Sequence, residues 1–430
     1  MELAGLSTDQ APPIEAPLRF FLTAPLFGIL AGFLIFFSDV ATLMSRFSVD
    51  SIVVAHALTI GFIGFIMLGA MTQMLPVLAG AKLPKVQAVS KYAYILLVIG
   101  TSAMLSGLSL ENSTLTIVAF IGLGLGFLSM LVSIAISLIG VENFTATVKG
   151  ISTSVVFGFF IVLMGLYLLY SYITKDISSA HVIVANIHSV WAIFGFCGAL
   201  IIGVAFQVLP MFYVSPKFKS FCKRRVIWLI STGLVIWLFL SIYYEEYSLF
   251  AKFWVALFFL AFATTVWKKL SQRKRPISDV TVWYWRAGSI YLALGAFLWI
   301  FDEYFKHEYI VMVGILIGGF ILSIVIGMLY KIVPFLIWFH LNAKGYMSIP
   351  TINEMINKNV ARVQFVLLMA SLIGFIFAFY MPYFLELSAV SFIISMVLLQ
   401  YNVVSPVIIY IKTMKTKPDF DMSMFAVNKE

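Results

Sequence analysis

Charge is what this chain has least of: 11% of its 430 residues are charged, where a soluble globular domain carries roughly a quarter. Cysteine is nearly absent too. Cys197 and Cys222 are the two present, one expected inside an apolar segment and one in a basic loop, so no disulfide framework is expected. Long polar stretches are also missing. The longest runs from about Asn342 to Lys358, which excludes a soluble domain; it reads either as a loop or as a short amphipathic helix on the inner surface, with Ile352, Met355 and Ile356 on one side. The first seventeen residues contain Glu2, Asp9 and Glu15 but no basic residue, which argues for a short cytoplasmic tail and against a cleavable signal. The stretches expected outside the membrane, such as Tyr243–Tyr247, are short and acidic and leave no room for a receptor domain.

Apolar residues fill the space that charge leaves, making up 62% of the chain, with mean hydropathy +1.03. They fall in twelve runs, at roughly 20–38, 52–79, 90–109, 114–140, 150–173, 182–213, 226–243, 248–267, 283–301, 309–339, 361–382 and 386–411. Runs this long and continuous fit helices and not the roughly ten-residue alternating strands of a membrane barrel. The expectation is an all-α integral membrane protein, one polytopic domain over residues 1–430. Of the 28 basic residues, 23 fall at the termini and in the even-to-odd loops, and four, Arg46, Lys175, Lys252 and Lys306, fall opposite; Lys331 lies within the tenth run. Basic residues stay on the cytoplasmic side during insertion, which places both termini inside. The net charge of +9 then reads as orientation and attraction to an anionic bilayer, not as nucleic-acid binding.

A triplet recurs: Gly61, Gly69, Pro76; Gly195, Gly203, Pro210; Gly319, Gly327, Pro334. The copies stand 134 and 124 residues apart, so each marks one point in a unit of four spans. This implies three pseudo-threefold four-helix repeats, at about 18–140, 150–267 and 283–412. Small residues let helices approach closely, and a proline near the end of a span kinks or ends it. Gln73, Gln207 and Lys331 stand three residues before the three prolines, and Lys331 is expected to reach the inner interface as an anchor.

Four of the five histidines, His56, His181, His188 and His307, lie towards the outer side; His340 lies at the inner end. Ionisable groups inside a membrane commonly mark sites, and imidazole is a usual ligand for haem iron and for copper. His181 and His188 share a helix face about 10 Å apart, too far for one metal. Counted from the second glycine, His56 and His188 are two positions out of step, a turn of about 200° on an α-helix. They would serve different centres or different sides of one large ligand. Met67, Met71 and Met74 run along or near the His56 face, a copper(I) stripe or ordinary packing.

On these residues the chain resembles subunit I of the haem–copper oxidases and the related NnrS-type membrane proteins. The layout of twelve helices in three arcs of four is similar throughout. The stretch His56 to Gly61, with Gly69, Pro76 and Gly80, looks like the NnrS pattern, and His188 to Gly195 is a looser echo. The resemblance implies a haem-ligand role for His56, a copper-ligand role for His188 with His181 further out, and a cofactor of one haem or one copper. Departures limit it. Val54 and Ala57 stand where an additional histidine and a glutamate are expected, the seventh run has no histidine, and the tenth has Gly314 at the position equivalent to His56. Oxygen reduction is therefore not expected. What the resemblance implies is a supporting role in respiratory or nitric-oxide metabolism, in a bacterial inner membrane, with other respiratory subunits as partners. The rival readings are a twelve-span permease and a cofactor-free partner subunit, the latter calling for exposed small-residue stripes such as Gly122, Gly124 and Gly126.

Overall fold

The structure, a computed structural model, describes residues 12–274, 279–304 and 308–420. Glu2, Asp9, Arg275, Lys306, His307 and Lys429 lie outside the described residues. Among those described there is no strand. Twelve long helices carry the fold: α1 Glu15–Phe36, α2 Val49–Ala79, α3 Val86–Ser109, α4 Ser113–Ile139, α5 Ala146–Thr174, α6 Ser179–Tyr213, α7 Ser220–Tyr243, α8 Ser248–Ser271, α9 Val280–Ile300, α10 Glu308–Ala343, α11 Lys358–Ala378 and α12 Phe384–Thr413. Eleven of them are long and apolar enough to cross a membrane, and the protein is a multi-pass membrane protein. The exception is α9, which has the length, 21 residues, but carries Trp283, Tyr284, Trp285 and Arg286 in its first two turns and is less apolar for it. Arg286 thus lies inside a helix and not in the preceding loop, with its guanidinium 5.3 Å from the Trp267 ring of α8.

Side-chain caps begin several helices. Ser48, Asn112 and Thr145 each accept a bond from the backbone N–H three residues on, at 3.1, 3.0 and 3.2 Å, satisfying donors that the first turn leaves unpaired. At the far end of α2, Gly80 takes φ 67°, a left-handed turn that suits glycine.

The helices pack in chain order as antiparallel pairs. The tight pairs are α1 on α2, α3 on α4, α5 on α6, α7 on α8, α9 on α10 and α11 on α12; α4 meets α5, α8 meets α9, and α12 returns to α1. The ring closes. The repeated glycines set the register of its inner pairs. A Cβ on Gly61, Gly195 or Gly319 would lie 2.4, 2.6 or 3.1 Å from the ring of Phe27, Phe157 or Tyr291. A Cβ on Gly69, Gly203 or Gly327 would lie 2.9, 2.7 or 2.8 Å from Phe20, Gly150 or Tyr284. In each pair the two facing residues are seven apart, Phe20 and Phe27, Gly150 and Phe157, Tyr284 and Tyr291, so the same antiparallel crossing is made three times.

Several sequence expectations change. Gly122, Gly124 and Gly126 are not an exposed stripe. All three are buried, Gly122 against Gly100 and Gly126 against Leu97 of α3, and Gly124 against Leu166 of α5. Lys331 is not an interfacial anchor either: it is 7% exposed and its Nζ lies 2.5 Å from the Asp279 carboxylate at the start of α9. The register brings the acid to it, and pairing removes the reason to reach for water. Met67 and Met71 are buried in the apolar core, as packing residues are. Residues 344–357 contain turns and no helix, so the stretch after α10 is a loop.

Candidate metal centre

His56 ends the first α-helical part of α2. The next eight residues, Ala57–Gly64, wind as a π-helix before the α-helix resumes at Phe65. In α6 the same thing happens at Trp191–Gly198, three residues after His188. The two π segments stand 134 residues apart, the spacing of the glycine triplets, whereas α10 runs through the third copy as plain α-helix. Each extra residue in a π turn rotates the helix on its N-terminal side by about 100° relative to the helix on its C-terminal side. His56 stands one residue and His188 three residues ahead of these matched segments, so the same winding acts on both and the expected offset of two positions, about 200°, remains.

The structure brings His56 and His188 together. Their ring centroids are 6.3 Å apart and their planes differ by 24°. Nδ1 of His56 lies 2.7 Å from the carbonyl oxygen of Ile52 on its own helix, and Nδ1 of His188 lies 3.0 Å from that of Ile161 on α5. A carbonyl oxygen can only accept, so in the neutral ring Nδ1 carries the proton in both, and each Nε2 keeps its lone pair. Neither Nε2 has a hydrogen-bond partner among the described residues. Gly165 makes room for this ring, since a Cβ there would lie 3.2 Å from Cε1 of His188.

The separation of the two rings is the one that two imidazoles sharing a single ion would have. A metal–nitrogen bond of about 2.0–2.1 Å, plus about 1.1 Å from nitrogen to ring centre, puts two imidazoles facing each other across an ion about 6.3 Å apart. A ligating histidine commonly donates its other N–H to a backbone carbonyl, which holds both tautomer and ring angle, and both rings here are placed to do so. On α10, which touches the Ala57–Gly64 segment, Gly314 and Gly318 have no atom within 4 Å of where a Cβ would stand. Gly314 is exposed, whereas further along that face Ile321, Leu322 and Val325 are buried.

The remaining histidines stand apart from the pair. His181 is buried with its ring 5.5 Å from that of Tyr172, and its Nδ1 has no partner. It is His56, not His181, that faces His188. His340 packs on Phe339 with Nε2 unpartnered. No group of three or more histidine, cysteine or acidic side chains able to hold a metal occurs among the described residues, so any centre here rests on two imidazoles.

Beside the pair, Arg46, in the turn before α2, donates from Nη2 to Ser189 Oγ at 3.2 Å. Burial holds its guanidinium below the ordinary arginine value, while Asp302 acts in the opposite direction. Asp302 in turn pairs with Lys252 of α8 at 2.5 Å. Sequence reading missed both the π segments and this arginine. The one signal for the first was the shared glycine spacing, and nothing local marks the second. No protein-family model matches the chain, and no curated protein matches its sequence.

Proposed function

We propose that this is a twelve-span protein of the haem–copper-oxidase-like type, built from three four-helix units about an approximate threefold axis normal to the membrane. His56 and His188 hold a single metal centre, in the first instance one haem. The observation that carries this reading is the pair itself: two near-parallel imidazoles 6.3 Å apart, each with Nδ1 on a carbonyl oxygen and Nε2 unpartnered. The threefold arrangement is supported by the closed helix ring, the triple glycine register and the matched π segments. The basic residues support a reading with both termini on the cytoplasmic side, and the resemblance to the oxidase-like proteins supports a bacterial plasma membrane.

If bound, a haem held by the imidazoles of His56 and His188 would supply one-electron transfer. The chain's own contribution is to hold the two rings in place. Ile52 and Ile161 supply carbonyl oxygens that hold the Nδ1 protons, and Gly165 admits the His188 ring. The role fits a supporting electron-transfer or assembly function in respiratory or nitric-oxide metabolism, without oxygen reduction. The cofactor-free reading has lost the exposed glycine stripe it called for, since Gly122, Gly124 and Gly126 are buried inside the protein. The same ring spacing suits a linear copper ion.

Protein purified from its native membrane separates these outcomes. A pyridine haemochrome assay with metal analysis should give one haem per chain, a six-coordinate spectrum unchanged by carbon monoxide, and no oxygen uptake with quinol or reduced cytochrome. One copper and no haem would move the centre to copper. Cyanide-sensitive oxygen uptake by the isolated chain would overturn the account.

A further inference from the structure

Away from the histidine pair, and independent of it, a cleft of about 360 Å³ opens between the first turns of α1 and α3, lined by Glu15, Arg19, Gln87, Lys91, Tyr94 and Ile95. It lies at the end of the molecule that the basic residues mark as cytoplasmic. Its floor is rigid: Tyr94 shares a hydrogen bond of 2.8 Å with Thr23 and packs edge-on against Phe20 and Phe65. Its charges are not used up. Arg19 donates from Nε to the carbonyl oxygen of Glu15, not to its carboxylate, and neither Arg19 nor Lys91 has an acidic partner among the described residues. Lys82 and Lys85 add positive charge in the loop just before α3.

Below the cleft the surface turns apolar in line with it. Leu26, Leu30 and Phe33 continue the Arg19 stripe of α1 at helical spacing, and Ile95 and Ile99 continue the Lys91 stripe of α3; all five are exposed. A basic head above two parallel apolar tracks is the shape of a phospholipid. Basic pockets between spans on the cytoplasmic side recognise anionic headgroups. We propose that this cleft binds one anionic phospholipid, its phosphate between Arg19 and Lys91 and its acyl chains along the exposed leucine and isoleucine tracks.

Native mass spectrometry of the full chain in detergent, titrated with phosphatidylglycerol or with phosphatidylcholine of the same acyl chains, tests this. The unaltered protein should bind one phosphatidylglycerol about tenfold or more tightly than phosphatidylcholine. Arg19→Gln with Lys91→Gln should abolish the preference, and Arg225→Gln with Lys268→Gln, at other basic positions, should leave it intact. Both substituted side chains reach solvent, and gel filtration checks that the variants fold. Equal binding of the two lipids, or a preference that survives the first double substitution, would overturn the proposal. So would displacement by inorganic phosphate at matching affinity, which would make the site one for the free anion.

Discussion

Three residues ahead of each repeated proline, three side chains bury a polar group in different ways. Gln207 meets the Thr147 hydroxyl at 3.3 Å, and Lys331 meets Asp279 at 2.5 Å. Gln73 has no partner for either amide atom. Carried one further turn, the glycine register puts Ala16 opposite Gln73, as it puts Thr147 and Asp279, within one residue, opposite the other two. An unpartnered buried polar group costs about 1–3 kcal/mol, so Gln73→Met should raise the thermal midpoint in detergent; a lower midpoint would show that the amide has a use. Asp279→Asn should do the opposite. It keeps the oxygen that caps α9 through Thr281 and Val282 but leaves Lys331 unpaired in the interior, a loss of about 1–3 kcal/mol once the partial exposure of Asp279 is allowed for. Although burial alone would raise it, Lys331 and the bonds from Thr281 and Val282 hold the Asp279 carboxyl below its ordinary value. Its contribution is therefore complete above the unfolded value of about 3.9 and is lost as pH falls through the depressed folded value. An unfolding midpoint that is as sensitive to acid in Asp279→Asn as in the parent would contradict this.

At the scale of the element, glycine spacing and helix winding decide where side chains end up. Gly195→Ala would push a methyl to 2.6 Å from the Phe157 ring, a clash expected to cost about 1–3 kcal/mol. Gly314→Ala meets nothing within 4 Å and should be neutral or stabilising by about 0.5–1 kcal/mol. Equal melting shifts for the two would mean that the close crossing of α5 and α6 is not what the repeated glycine serves. The twelve helices were legible because each is a long apolar run with polar ends, and the ends moved by only a few residues, as from 20–38 to Glu15–Phe36. The π segments were not legible, since Ala57–Gly64 reads as well on an α-helical wheel as on a wider one. His56 and His188 were found as residues, with two sides of one large ligand and two separate centres both left open; the structure brings the rings together. The Ile161 carbonyl that holds the His188 ring lies 27 residues away in the neighbouring helix and has no local signal. Lys331 was misread for a similar reason, because its acid lies 52 positions off in the chain.

In the whole molecule, the ring of helices closes through α12 on α1, and the least apolar member, α9, decides whether twelve spans or eleven are threaded. Reporter fusions after Lys274 and after Tyr304 should fall on opposite sides of the membrane; the same side would remove α9 as a span and break the threefold reading. The central claim is that His56 and His188 share one centre. The most direct measurement is the optical spectrum and haem content of the purified protein beside His56→Ala, His188→Ala and His181→Ala. The account predicts one haem per chain in the parent and in His181→Ala, and loss of the six-coordinate spectrum in each of the other two. Full haem content and an unchanged spectrum in both His56→Ala and His188→Ala would contradict it.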